Sequence, residues 1–141
     1  MRHKKWITVL MLLFVPLIAA AQLAQSERIA TQVPFKFIVG NVAIPAGECS
    51  VQIADQGGWV LTVSNRDAKI ATFTSAMPNA AKNMAPASAL VFHKYGDRYF
   101  LVALKVSGSR AVYEFRQSKL EKELIAQNLR PTEEIVVASA R

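Results

Sequence analysis

The stretch that decides the fold is ALVFHKYGDRYFLVALKV, residues 89 to 106. Two apolar runs flank Gly96-Asp97, a spacing that predicts a β-hairpin with a two-residue turn. Away from the turn both faces are apolar, so we expect other elements to cover the hairpin on both sides, as at the centre of a sheet. An unbroken register would pair Tyr95 with Arg98, Lys94 with Tyr99, His93 with Phe100, Phe92 with Leu101, Val91 with Val102, Leu90 with Ala103 and Ala89 with Leu104.

Short alternating segments on either side of the hairpin predict further strands. They are separated by Gly, Pro, Asn or Asp, residues that favour turns. This rhythm is typical of a mainly β fold, an antiparallel sandwich or small barrel of about seven or eight strands. Outside the hairpin, the predicted extended segments are residues 33–39, 42–44, 48–54, 59–64, 69–75, 111–115 and 132–139.

One short helix is predicted near the C-terminus. Ser118 and Glu121 have the spacing of a capping box, and the helix covers about residues 117–127. Its apolar stripe consists of Leu120 and Leu124, enough to pack on a sheet but not to build a core. Residues 77–88 contain two prolines and two asparagines without apolar alternation, which predicts a long loop.

The first residues have the pattern of a targeting segment. A basic start, residues 1–5, precedes an apolar run that ends in Ala19-Ala20-Ala21, so residues 1–21 are predicted to be a cleaved signal peptide. An uncleaved N-terminal anchor is the alternative. Cleavage would leave a flexible mature terminus, residues 22–31, a single β-domain, residues 32–139, and no transmembrane span. The predicted location is the periplasm, the outer envelope or the extracellular space.

The formal net charge of the 141 residues is +7, and Arg2, Lys4 and Lys5 of the predicted signal peptide contribute three of these charges. The remaining positive charge is scattered among acidic residues, without a basic run or a basic helix face. Nucleic acid is therefore not an expected partner. A mildly basic exported protein has a weak bias towards anionic polysaccharides or lipid head groups.

Several short motifs resemble the pattern of an uncharacterised family of small secreted bacterial all-β proteins. That pattern opens with P-F-x-F-x-V-G-N and L-P-A-G, and it includes a Y-G-D hairpin. The resemblance covers most of residues 33–125 and implies an exported all-β domain without an assigned activity or catalytic residues. Cys49 departs from the pattern, which usually has Tyr or another β-former nearby. The matching segments are Pro34-Phe-Lys-Phe37, Val39-Gly-Asn41, Ile44-Pro-Ala-Gly47, Leu90-Val-Phe92, Tyr95-Gly-Asp97, Tyr99-Phe-Leu101 and Gln117-Ser-Lys119.

The residues that could perform chemistry are few. His93 is the only histidine beyond the predicted signal peptide, and its place in a strand predicts a structural role. The lone Cys49 shares a strand face with Val51 and Ile53, so we expect a small buried hydrophobe. Glu121 is interpreted as a solvated helix residue. No catalytic residues, metal ligands or cofactors are predicted, although an irregular set of Met77, Met84 and His93 raises the weak alternative of a copper site.

The favoured hypothesis is a non-catalytic, exported domain that binds a ligand or associates with the cell envelope. Its candidate binding residues are Trp59, Tyr95, Arg98 and Tyr99, because aromatic side chains beside turns can form platforms for sugars or anchor an interface. The same aromatic side chains could instead only clamp the hairpins. Two alternatives are a barrel that carries a small apolar ligand inside it and, less favoured, a hydrolase. The partners considered are a polysaccharide, a component of the cell envelope or an apolar ligand.

Overall fold

The computed structural model describes residues 28–55 and 57–138, which form ten strands and one helix. The predicted signal peptide and residues 22–27 lie outside the described residues. The strands and the helix are, in chain order, β1 (Arg28–Val33), β2 (Phe37–Val39), β3 (Val42–Ile44), β4 (Gly47–Ile53), β5 (Val60–Asn65), β6 (Ile70–Ala80), β7 (Ala89–Tyr95), β8 (Arg98–Lys105), β9 (Ala111–Phe115), α1 (Lys119–Ala126) and β10 (Thr132–Val137).

The strands form one folded sheet that is not closed. One half contains β1, β4, β5 and the first part of β6, and the second part of β6 continues into the other half by pairing with β9. In that other half β8 has β7 along one edge, while β9 and β2 share its second edge. Two of the edge strands of the sheet, β1 and β10, approach each other where Thr31 Oγ1 donates to the Val137 carbonyl at 3.3 Å.

The mainly β prediction and the single C-terminal helix are confirmed. Three boundaries differ. Residues 28–31 belong to β1, where alternate side chains are buried, and not to a frayed terminus. The predicted strand 33–39 is divided between β1 and β2, because residues 34–36 are not in a strand. Pro34 has no N–H to donate to a neighbouring strand. Residues 77–80, expected in a loop, extend β6 through their pairing with β9.

The predicted hairpin is present, but its register changes halfway along. Tyr95 pairs with Arg98 and the pairing continues as predicted to Phe92 and Leu101. Val102 is then an extra residue in β8, and the predicted pairs beyond it are wrong by one position. The observed pairs there are Val91 with Ala103, Leu90 with Leu104 and Ala89 with Lys105. A bulge inserts one residue and thereby changes which side chains share a face.

The core lies between the two halves of the sheet. It combines buried side chains from the nine strands β1 to β9 with Val106, and Phe37, Phe92, Leu61 and Leu104 are among its largest members. Phe35 packs edge-on against Phe92, with ring centroids 4.9 Å apart. Cys49 is fully buried in this core, as predicted, and burial together with the nearby Asp67 carboxylate raises the pKa of its thiol to about 11. The thiol therefore serves as an apolar packing group.

Two glycines with positive φ provide a test of local packing. Gly58 has φ +71°, and a Cβ on it would collide with the Tyr113 ring; Gly96, in the hairpin turn, has φ +64° and open space around it. Replacement of either glycine by Ala forces a left-handed backbone on a residue with a Cβ, which costs free energy. Only Gly58→Ala also displaces a ring. We expect Gly58→Ala to lower the free energy of unfolding by about 1–3 kcal/mol more than Gly96→Ala does, as measured by urea denaturation. Equal losses would show that the Tyr113 contact does not constrain this turn.

Candidate binding site

The outer face of the hairpin is divided into a covered half and an open half. Near the turn, α1 packs on Tyr95 and Phe100 through Leu124, with the partly buried Leu120 beside them. Farther from the turn, the same face carries Ala89, Val91 and Lys105 without a helix over it, and neighbouring side chains rather than α1 bury Ala89 and Val91. Both faces of the hairpin were expected to be covered, and the structure meets that expectation on the core side and over the half beneath α1.

A buried carboxyl group fastens the helix to the hairpin. Glu121 is 2% exposed, and its Oε1 accepts a hydrogen bond from the Tyr95 hydroxyl at 3.2 Å. His93 Nδ1 lies 3.1 Å from the same oxygen, the geometry of an N–H donating to it. The interpretation of Glu121 as a solvated residue is wrong. Its backbone N–H does serve the predicted cap, because it donates to Ser118 Oγ at 3.0 Å, while its side chain turns inwards to the sheet.

This cluster has the geometry of a structural link. Burial, and then the charge and the hydrogen bond of Glu121, raise the pKa of Tyr95 to about 12. Tyr95 and Glu121 are both enclosed between helix and sheet, so a substrate has little access to either group. His93 is partly exposed, but the pocket beside it is lined by no Ser, Thr or Cys that it could activate. The structural role predicted for His93 is consistent with this arrangement.

The open half of the outer face forms a groove, which we call the outer groove. It has a volume of about 450 Å³, within the roughly 300–1,000 Å³ typical of ligand sites. Its sheet side includes Ala89 of β7, Val112 of β9 and the exposed Ile135 and Val137 of β10. The loop between β6 and β7 supplies the opposite wall. That wall consists of Ala81, Lys82, Asn83, Met84, Ala85, Pro86 and Ala87.

The charges at the outer groove are of one sign. Lys82 in the loop and Lys105 at the end of β8 are its charged residues, and its lining contains no acid. Beyond Lys105 the surface continues past Val112 into a second pocket, which contains Glu114 and Glu133. The outer groove is thus an apolar groove with cationic side chains. The adjoining pocket, towards α1, carries acidic side chains instead.

The structure separates the four residues predicted as a binding platform. Trp59 is 56% exposed and precedes β5, in the other half of the sheet. Arg98 is exposed at the hairpin turn. Tyr95 is buried under the helix, whereas Tyr99 lies on the core side, stacked on Phe35 with ring centroids 3.7 Å apart. The two tyrosines therefore occupy opposite faces of the hairpin and do not form a common surface.

The sequence reasoning missed the residues of the outer groove. The available signal was the apolar run Ile135-Val-Val137 in the terminal strand, which does not itself say which face is exposed, together with an alanine-rich loop. Within residues 28–55 and 57–138 there is no group of three His, Cys, Asp or Glu side chains arranged to hold a metal ion. No helix in the same residues has the length and apolar character needed to cross a membrane.

Comparisons of the chain with protein-family models, curated proteins and solved structures found no match. The site is therefore interpreted from its own geometry.

Removal of the buried carboxyl should loosen the helix. Glu121→Ala leaves the Tyr95 hydroxyl without its hydrogen-bond partner. We therefore expect the free energy of unfolding to fall by about 1–3 kcal/mol. Glu123→Ala, two residues farther along on the exposed side of α1, is the matched control and should change stability by less than about 0.5 kcal/mol. Urea denaturation of both variants measures the difference. Equal stability of the two variants would contradict the link.

Alkaline pH should destabilise the protein in two overlapping steps. A group whose pKa is higher in the folded state than in the unfolded state binds its proton more tightly when the protein is folded. Its contribution to stability is therefore complete below the pKa of the unfolded state and is lost as the pH rises through the pKa of the folded state. For Cys49 this interval is 9.0 to about 11, and for Tyr95 it is 10.0 to about 12. Tyr95→Phe should remove the upper part of the loss and Cys49→Ala the lower part, in urea unfolding curves recorded across this range. An unchanged pH profile for Tyr95→Phe would contradict the assignment.

Proposed function

We propose that this chain is an exported, non-catalytic binding domain whose ligand is a single-chain amphiphile with an anionic head group, such as a fatty acid. The observation that carries the proposal is the outer groove, an apolar channel of about 450 Å³ whose only charged lining residues are Lys82 and Lys105. Partly enclosed, mainly apolar sites with a few polar groups are typical of small-molecule binding.

The lining of the outer groove favours an unbranched acyl chain. Alanine provides five of its fourteen lining residues, and such small side chains leave a smooth channel between the loop and the sheet. Met84 is 66% exposed at the rim, and its flexible thioether can fold over a bound chain. Burial of an acyl chain against Ile135 and Val137 would remove two exposed apolar side chains from water, a gain of about 25 cal/mol for each Å² of apolar surface.

The charges favour an anionic head group. An ammonium group beside a carboxylate is stabilised most where water is partly excluded, as at the mouth of a groove. Lys82 and Lys105 supply this charge, and no carboxylate of the lining competes for it. Lys105 also borders the adjoining pocket, where Glu114 and Glu133 disfavour an anion, whereas Lys82 does not line that pocket. The proposed position of the head group is therefore the Lys82 side of the outer groove, with Lys105 as the second cation.

The proposed ligand lies outside the sheet and not in the interior of a barrel. The space between the two halves of the sheet is filled by core side chains, among them Phe37, Phe92 and Leu104. The export part of the proposal rests on the signal-peptide pattern of residues 1–21. The non-catalytic part rests on the enclosed position of Tyr95 and Glu121 and on a site that lacks a paired nucleophile and base.

Ligand binding can be measured with a fluorescent polyene fatty acid, displaced by a saturated long-chain fatty acid and by the alcohol of the same chain length. Ile135→Glu combined with Val137→Glu places two carboxylates in the channel and should weaken binding by at least about tenfold. Ile125→Glu combined with Leu129→Glu is the matched control, because these side chains are similarly exposed, at 42% and 47%, and lie outside the outer groove.

The head group has a separate test. Lys82→Gln combined with Lys105→Gln should weaken binding of the fatty acid but leave binding of the alcohol unchanged. An equal effect on both ligands would contradict the role of the lysines. Binding that is lost equally in the two double-glutamate variants, or no binding of the fluorescent acid to the wild-type protein, would overturn the proposed function.

A further inference from the structure

A second groove lies where the two halves of the sheet separate, and we call it the basic groove. The first part of β6, residues 70–75, pairs with β5 on one side only, because β9 pairs with residues 76–80. The other edge of this part of β6 faces the turn between β2 and β3 and the segment that leads from β9 into α1. The space between these elements is an open groove of about 540 Å³.

Three cations line the basic groove without an acid among its lining residues. They are Arg116, Lys119 and Lys122, from the end of β9 and the first turn of α1. In the part of the chain that the structure describes, none of the three forms an ion pair. Of the two acidic residues of α1, Glu121 is buried against His93 and Tyr95. Glu123 lies one turn after Lys119 and lines an adjoining pocket that Lys119 also borders, without lining the basic groove itself.

The remaining walls of the basic groove carry groups that bind sugars. Asn41, Thr72, Thr74 and Gln117 provide hydroxyl and amide groups for hydrogen bonds. Phe73 is 73% exposed, the most exposed large apolar residue of the described chain, and it belongs to the wall formed by β6, on the opposite face of the strand from Thr72 and Thr74. An exposed aromatic ring can pack on the apolar face of a sugar.

We infer that the basic groove binds an acidic polysaccharide, one that carries carboxylate groups on its sugar rings. Arg116 can hold a carboxylate with two parallel hydrogen bonds, and the lysines add point charges along the same chain. The hydroxyl and amide groups of the walls would bind sugar hydroxyls. A nucleic acid is the other polyanion to consider, but three cations and one aromatic ring give it few phosphate contacts and a single stacking position.

This inference goes beyond the proposed function and does not depend on it. The basic groove and the outer groove share no lining residue. A protein that binds an acidic polysaccharide at one surface and an amphiphile at another would fit the cell envelope, where both kinds of molecule occur. Each site can be removed while the other remains.

Binding of polygalacturonate, measured by titration calorimetry at low salt, tests the inference. Arg116→Gln, Lys119→Gln and Lys122→Gln together should weaken binding by at least about tenfold. Lys36→Gln, Arg66→Gln and Arg130→Gln together are the matched control, because they remove the same charge from exposed positions outside the basic groove. Phe73→Ala, with the cations intact, should also weaken binding. Binding of the fluorescent fatty acid should be unchanged in all of these variants.

Three results would overturn the inference. The first is no binding of polygalacturonate by the wild-type protein. The second is an equal loss of affinity in the two triple variants, which would attribute binding to net charge alone. The third is single-stranded DNA binding at the basic groove as tightly as polygalacturonate, which would identify a nucleic acid as the partner. The neutral polysaccharide pullulan should not bind, and binding equal to that of polygalacturonate would contradict the role of the carboxylates.

Discussion

The extra residue at Val102 determines which side chains of the central hairpin face the core. In a regular strand, alternate residues share a face, so Leu101 and Leu104 would lie on opposite sides. The bulge places both in the core and places Val102 and Ala103 on the outer face. β2 pairs with β8 before the bulge, at Phe100, and β9 pairs with β8 after it, at residues 103–105. The bulge therefore lies between the part of the outer face that α1 covers and the part that borders the outer groove.

Polar contacts then divide the outer face between α1 and the outer groove. The helix contributes few apolar contacts, mainly Leu120 and Leu124, so the hydrogen bonds of Glu121 to Tyr95 and His93 add a directional restraint. A buried carboxyl group is costly unless it is hydrogen-bonded, and here it is. The helix is thereby held at the turn end of the hairpin. The opposite end is left free to form the outer groove with the alanine-rich loop.

The parts of the fold that depend on local pattern could be predicted from the sequence. These include the hairpin turn at Gly96, the cap at Ser118 and the burial of Cys49. The bulge could not be predicted from the sequence. It is favourable because it buries both Leu101 and Leu104 in the core, and that core exists only when the second half of the sheet packs against the hairpin. The same holds for Glu121, whose helix position resembles a solvated one until His93 and Tyr95 face it across the interface. Ile135 and Val137 were predicted as strand residues. Whether their side chains would be exposed depended on which strand β10 pairs with, and the sequence does not show this.

The most direct test of the central claim, that the outer groove beside the hairpin binds the ligand, is to locate a bound fatty acid by NMR. Intermolecular nuclear Overhauser effects should connect acyl-chain protons with the methyl groups of Met84, Ile135 and Val137, all of which border the outer groove. Core methyl groups such as those of Leu61 and Leu104 should show none. Contacts between the ligand and these core methyl groups, or no contacts at the outer groove when the protein is saturated with ligand, would contradict the account.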